Sequence, residues 1–176
     1  MSFYRMYTQE KVDESQGVPQ STNTLDKWVM SRLAATHKTV TLSLDKYATP
    51  SAARAIQEFV TELSTWYTRR SRDRIKEGGL EAEQALKTLG YALVEISKMM
   101  APFMPFISEH FYKDLTGKTS VHLAKWSEIR ESDAALESSM TFLQALVEKA
   151  LRLRKESNMK VRQPLSEVQY VTGEGQ

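Results

Sequence analysis

Cysteine is absent from this 176-residue chain. That excludes a structural disulfide and any zinc site built on thiolates, and it fits a reducing compartment. Long apolar runs are missing as well. Residues 1–10 lack the apolar centre of a secretory signal, and no stretch approaches the roughly 18 consecutive apolar residues of a membrane helix, so neither a leader nor a membrane partner is expected. An excess of one charge is also lacking. Lys and Arg number 24 against 22 Asp and Glu, a net of +2, so bulk charge alone does not argue for nucleic acid. The three histidines, His37, His110 and His122, share no ligand spacing with one another or with carboxylates. There is no Ser-His-Asp arrangement, no glycine-rich phosphate loop, no internal repeat and no low-complexity segment. Nothing reads as a catalytic centre.

What is present is helical periodicity in an ordinary globular composition, 41% hydrophobic and 26% charged. Residues 1–23 are polar and turn-rich after a short aromatic start, and read as a linker or severed connection. A helix is expected from Thr24 to about Tyr47, capped by Asn23 or Thr24, with Asp26 in its first turn and Leu25, Trp28, Val29, Leu33 and Val40 at helical spacing. Thr49-Pro50 restarts the helix as a capping hydroxyl followed by proline. The second helix is expected to bury Ala53, Ile56, Val60, Leu63 and Tyr67, and Gly78-Gly79 to stop it. The third, about Glu81 to Met100, carries Leu86, Leu89, Leu93, Ile96 and Met100, with Gly90 beside the stripe allowing close approach of another helix.

Pro102 and Pro105 precede a short helix with Phe106, Ile107, Phe111 and Leu115, in which His110 is expected to be a hydrogen-bonded core or rim residue. An irregular stretch from Gly117 to Arg130 is anchored by Val121, Leu123 and Trp126. A last helix, Ser132 to Ser157, aligns Leu136, Met140, Leu143, Val147 and Ala150. After Asn158 the pattern becomes that of a short β-like tail. The domain reading is 1–23 as connection, 24–157 as helical bundle, and 158–176 as the start of a further region. The fold class is all-α, an up-and-down bundle.

Charge is unevenly placed. From Arg69 to Lys76, five of eight residues are basic against one acid, and Trp66-Tyr67 immediately precede them. On a helix Arg69, Arg72 and Lys76 follow one edge, and Arg70 and Arg74 its neighbour. Guanidinium forks match phosphates, and an aromatic such as Trp66 can stack on an unpaired base. The same run also suits a solvated helix end with Arg69 and Arg70 paired to bundle carboxylates, and Trp66 and Tyr67 suit the core. A second, sparser run comprises Lys149, Arg152, Arg154, Lys155, Lys160 and Arg162.

Five segments carry a resemblance. Residues 25–33, Leu-Asp-Lys-Trp-Val-Met-Ser-Arg-Leu, are similar to the opening helix of the anticodon-binding domain in class I aminoacyl-tRNA synthetases for isoleucine, valine and leucine. Residues 59–74 resemble the isoleucyl form of the next helix, 100–109 the shared proline-punctuated helix, and 120–126 the loop after it. Residues 160–165, Lys-Val-Arg-Gln-Pro-Leu, resemble a segment of isoleucyl enzymes at the exit from the bundle. The resemblance covers about Leu25 to Val168, with the five segments in the family's order. Lys98-Met99-Met100 superficially resembles the family's lysine-methionine signature but lacks the following Ser-Lys.

The resemblance implies a helical module that docks the anticodon stem-loop of an isoleucine tRNA. The parent activity it implies is ligation of isoleucine to that tRNA with ATP and Mg in a cytoplasmic, monomeric enzyme. The family's His-Ile-Gly-His and Lys-Met-Ser-Lys-Ser motifs are not found in these 176 residues. Catalysis, cofactors and metals are therefore expected to reside in a separate catalytic domain, the bundle's covalent partner. The candidate RNA-binding residues are Trp66, Arg69, Arg70, Arg72, Arg74, Lys76, Lys160 and Arg162. The alternatives are the same domain of a valyl or leucyl enzyme, or a helical protein-interaction module.

Overall fold

Asn23 starts the first long helix as expected: its side chain accepts a hydrogen bond from the Leu25 N–H, supplying a partner for an amide that the helix leaves open. In a computed structural model, which describes residues 1–170, the helices are α1 (Ser2–Tyr7), α2 (Thr24–Asp45), α3 (Thr49–Glu62), α4 (Arg69–Glu77), α5 (Gly79–Met100), α6 (Pro105–Thr116) and α7 (Ala134–Glu156). A π-helical turn, Leu63–Thr68, joins α3 to α4 without a break, and two 3-10 turns lie at Glu14–Gln16 and Val121–Leu123. Among the described residues all regular structure is helical. The tail from 158 to 170 forms no strand, and the rest of the expected tail lies outside the described residues.

The chain divides into two compact units, Met1–Glu137 and Ser138–Gln176. In the first, α2 packs on α3, and α5 packs against α2, α3, α4 and α6. Trp28, Val29, Val40, Phe59, Tyr67, Ala85, Ala92, Met99, Tyr112 and Leu115 form its core. Each large apolar side chain removed from water there contributes about 1.5–3 kcal/mol.

Helix phase departs from expectation in α3. Ala52, Ile56, Phe59, Leu63 and Tyr67 are buried, whereas Ala53 and Val60 are exposed. Thr49 lies inside the helix, Ala48 holds the cap position without a side-chain bond, and Pro50 sits in the first turn. Gly78 and Gly79, at φ 77° and 76°, turn the chain between α4 and α5. On α5 the buried centre is Ala85, Leu89, Ala92, Ile96 and Met99, so Leu86, Leu93 and Met100 lie half-buried at its flanks. Small alanines hold that centre, which brings neighbouring helices close. On α6 Ser108, Tyr112 and Leu115 face inward. Phe106, Ile107 and His110 are exposed, as are Leu123 and Trp126 in the following loop. Trp126 still anchors that loop, because its indole Nε1 donates to Thr41 at 2.9 Å and its ring lies 5.3 Å from that of His37.

Residues 1–23 lie within the first unit. Tyr4 is buried against Gly90, where an added Cβ would stand 2.8 Å from the Tyr4 hydroxyl and 3.0 Å from Val12. The close approach at Gly90 is therefore made by α1 and the chain after it. Arg5 pairs with Asp114 at 2.9 Å. Glu14 accepts from the Tyr112 hydroxyl at 2.7 Å and meets Lys98 and Lys118, each at 2.6 Å. Burial alone would raise the Glu14 pKa; the bonds from Lys118, Lys98 and Tyr112 outweigh it and hold the carboxyl at about 2.

The second unit contains no buried residue among those described. Leu136, Met140, Val147 and Ala150 of α7 are half-buried, and Leu143 is exposed. After the helix, Arg154 donates to the backbone carbonyls of Lys160, Val161 and Gln163, and Asn158 takes a left-handed φ of 53°.

Candidate nucleic-acid interface

The basic run sits on α4, immediately after the π turn. From Phe59 onward the buried positions are Phe59, Leu63, Tyr67, Ser71 and Ile75, each four residues from the last. An α-helix turns once in 3.6 residues, so a strict four-residue spacing would rotate steadily off the core. The wider π turn absorbs that excess and keeps Tyr67, Ser71 and Ile75 inward. Arg69, Arg70, Arg72 and Lys76 are thereby left outward and exposed.

Those four cations make no ion pair among the described residues. The Arg70 guanidinium stacks on the half-buried Trp66 ring, 4.0 Å from its centroid, and Arg72 lies 5.5 Å from the ring of Phe3. A stacked guanidinium keeps its in-plane N–H donors free for an anion while the ring beneath limits its motion. The result is an edge able to meet phosphate, beside an aromatic able to meet a base.

Arg74 stands apart from its neighbours. Its guanidinium turns inward, pairs with both oxygens of Asp26, and also donates to Ser71 at 3.1 Å, Tyr67 at 3.3 Å and Glu81 at 3.4 Å. Asp26 is 1% exposed. It also accepts from the Tyr67 hydroxyl at 2.6 Å and from Ser21 at 2.7 Å. Burial would lower the Arg74 pKa, but Asp26, Tyr67 and Glu81 reverse that and raise it. Burial and then Asp26 raise the Tyr67 phenol, which stays a donor. Arg74 is therefore committed to a buried carboxylate, and its donors are largely used within the fold.

Lys160 and Arg162 belong to the second unit and are exposed there. The structure leaves Arg69, Arg70, Arg72 and Lys76 exposed on α4, with Arg70 on Trp66 at one flank of the helix and Arg72 beside Phe3 at the other. The Asp26–Tyr67–Arg74 cluster escaped sequence reasoning, which gave Asp26 only a favourable place in the first turn of a helix. A carboxylate one turn before Val29, on the face that meets the core, was the available signal.

Other features offer less. A groove of about 880 Å³ in the first unit is lined by Glu14, Glu95 and Glu128 as well as Lys98, Lys118, Lys125 and Arg130, so it favours neither sign of charge. Among the described residues no three His, Cys, Asp or Glu gather as a metal site, and no helix is long and apolar enough to cross a membrane.

Comparison with known proteins follows the same line. A family profile described as the anticodon-binding domain of tRNA ligase matches residues 26–169. The chain is 41% identical over 172 residues to an isoleucine–tRNA ligase 2 of Bacillus anthracis, covering 95% of this chain and 17% of that protein. It is 40% identical over 149 residues to an isoleucine–tRNA ligase of Deinococcus radiodurans, covering 82% and 14%. Against that of Clostridium acetobutylicum it is 41% identical over 162 residues, covering 86% and 16%. The chain thus spans about one-sixth of the length of the curated relatives it matches.

Proposed function

Because the chain belongs to the anticodon-binding domain family of tRNA ligases, we propose that it is the module by which an isoleucine–tRNA ligase grips the anticodon stem-loop of its tRNA. The observation that carries this reading is the exposed basic surface of α4, where Arg70 lies on Trp66 and Arg69, Arg72 and Lys76 also stand outward without ion pairs among the described residues. Phosphate contacts from this surface set the position of the RNA, and an unpaired base stacks beside Trp66. Lys160 and Arg162 supply further phosphate contacts from the second unit. Arg74 is left out of the contact set because its guanidinium is held by Asp26.

On this reading the ligation itself, with ATP and magnesium, belongs to the catalytic domain that completes the enzyme, and this module contributes recognition alone. The setting is cytoplasmic and the module acts as a monomer. Identity to isoleucine enzymes across 95% of the chain supports the choice of isoleucine.

The test is binding of isoleucine tRNA to the 176-residue chain over a salt series. Affinity is expected to fall steeply with salt, because each neutralised phosphate releases condensed counterions. Arg69→Gln with Arg70→Gln is expected to weaken binding and flatten the log–log slope by about one unit for each phosphate left without its cation. Lys38→Gln with Lys46→Gln, on exposed positions of α2 and its end, serves as the control. An unchanged affinity and slope in the folded arginine double variant would overturn the interface.

A further inference from the structure

We infer that Tyr67 and Arg74 are positioning residues for RNA binding: through Asp26 they fix the rotation of α4 at which the Trp66–Arg70 stack faces outward. The inference rests on the exposed α4 edge being the RNA interface.

The argument begins with the π turn. A π turn is wider than an α turn and makes poorer use of the backbone, so it persists only where side chains favour it. Here the favouring contacts are specific. Tyr67 lies within the π turn, is fully buried, and its hydroxyl reaches both Asp26 on α2 and the Ala85 carbonyl on α5. Arg74, two turns later, reaches the same carboxylate and Glu81 of α5. One buried carboxylate is therefore gripped from both ends of the segment that carries Arg69 and Arg70, with Trp66 directly before it. Relaxing the π turn to α geometry would rotate α4 against α3 and draw Tyr67 and Arg74 off Asp26 together. Asp26 would then be a buried carboxylate without its cation, left with the Ser21 hydroxyl alone, which is strongly disfavoured.

The consequence is a preformed surface. Trp66 precedes Tyr67 in the chain, and Arg70 lies one turn before Arg74, so the phase that seats the inner pair also sets the outer pair. An interface held in its binding geometry spares the ordering cost at the moment of contact. Neither Tyr67 nor Arg74 needs to touch RNA to affect the affinity for it.

Tyr67→Phe removes only the hydroxyl, and Arg74→Lys keeps the charge but loses the planar fork. Each folded variant is expected to bind isoleucine tRNA about three- to tenfold more weakly, the scale of one modest hydrogen bond. The salt slope should not change, because the same phosphates are still neutralised. The chain labelled with 5-fluorotryptophan should show a shifted ¹⁹F resonance for Trp66, assigned by Trp66→Phe. Arg70→Gln gives the contrasting result, a slope reduced by about one unit.

Wild-type affinity in both folded variants, with the Arg70→Gln slope reduced, overturns the positioning role and leaves the interface standing. A slope reduced by about one unit in folded Arg74→Gln, which removes the charge, with Tyr67→Phe left at wild-type affinity, also overturns it, since Arg74 would then be a direct phosphate contact. If Arg70→Gln itself changes nothing, the interface fails and this inference fails with it. Ser71→Ala, which deletes one partner of Arg74 at 3.1 Å, provides a milder variant expected to show the same signature should either of the others fail to fold.

Discussion

Helices α5 and α7 are almost the same length, 22 and 23 residues, and both carry apolar side chains at helical spacing. Their surroundings differ completely. In α5 the face from Ala82 to Met99 is buried, including the polar Thr88, Glu95 and Ser97, while no residue of α7 is buried. Periodicity therefore marks a face that can be covered; coverage depends on neighbours far away in sequence. The same holds for charge. Lys98 on α5 sits between Glu14 and Glu95 with its side chain 12% exposed, whereas Arg152 on α7 meets Glu156 at 3.8 Å with 68% exposure.

The sharpest test of this contrast is Lys98→Ala. It would leave the carboxylates of Glu14 and Glu95 facing each other without their shared cation. The expected loss is about 3–5 kcal/mol, the cost of breaking a buried pair from one side, read by denaturant titration. A loss below about 1 kcal/mol, typical of a surface pair, would show that α5 treats its charges as α7 does.

Next come two leucines on α5 itself. Leu89 is 3% exposed, and Leu89→Ala is expected to cost about 2–5 kcal/mol. Leu93, half-buried at the flank of the same stripe, should lose roughly half as much or less when truncated. Equal losses at the two positions would mean that the buried face is centred midway between them, about 20° further round the helix.

Acid titration extends the comparison to Glu14. Its carboxyl titrates at about 2 in the folded chain against an ordinary 4.5, so the unfolded chain takes up the proton first. The stabilisation is fully present above about pH 4.5 and is lost as pH falls toward 2. Glu14→Gln should lower stability at neutral pH and flatten the decline within that window, measured as Tm against pH. An unchanged acid limb would place the critical carboxylate elsewhere.

The smallest effect is expected at Leu153 on α7, which is 59% exposed. Leu153→Ala should change stability by less than about 0.5 kcal/mol. A loss comparable to that of Leu89→Ala would erase the difference between the two helices.

The ends of the helices were legible in the sequence because their causes are local: the Asn23 cap, the paired glycines at 78 and 79, and the proline at 105. The phase of α3 was read one residue off at Ala53 and Val60. A 3.6-residue period cannot anticipate a π turn whose favouring contacts, on Asp26 and Ala85, come from other helices. Residues 1–23 carry no periodicity, so the seating of Tyr4 at Gly90 and of Glu14 at Lys98 was invisible without the fold. Within the candidate interface, the location of the basic run beside Trp66 was legible. The division of labour inside it was not: Arg70 and Arg74 are alike in the sequence, and only the carboxylate of Asp26, forty-eight positions before Arg74, separates them.

Gly90 gives the opening segment a registration mark made of missing atoms. The ion pairs that also hold this segment, Arg5 with Asp114 and Lys118 with Glu14, weaken as salt screens exposed charge. The fit of a phenol into the space left by an absent Cβ has no charge to screen. In concentrated salt the segment should thus keep its place by shape after its electrostatic ties have loosened, with Tyr4 as the tooth and Gly90 as the slot.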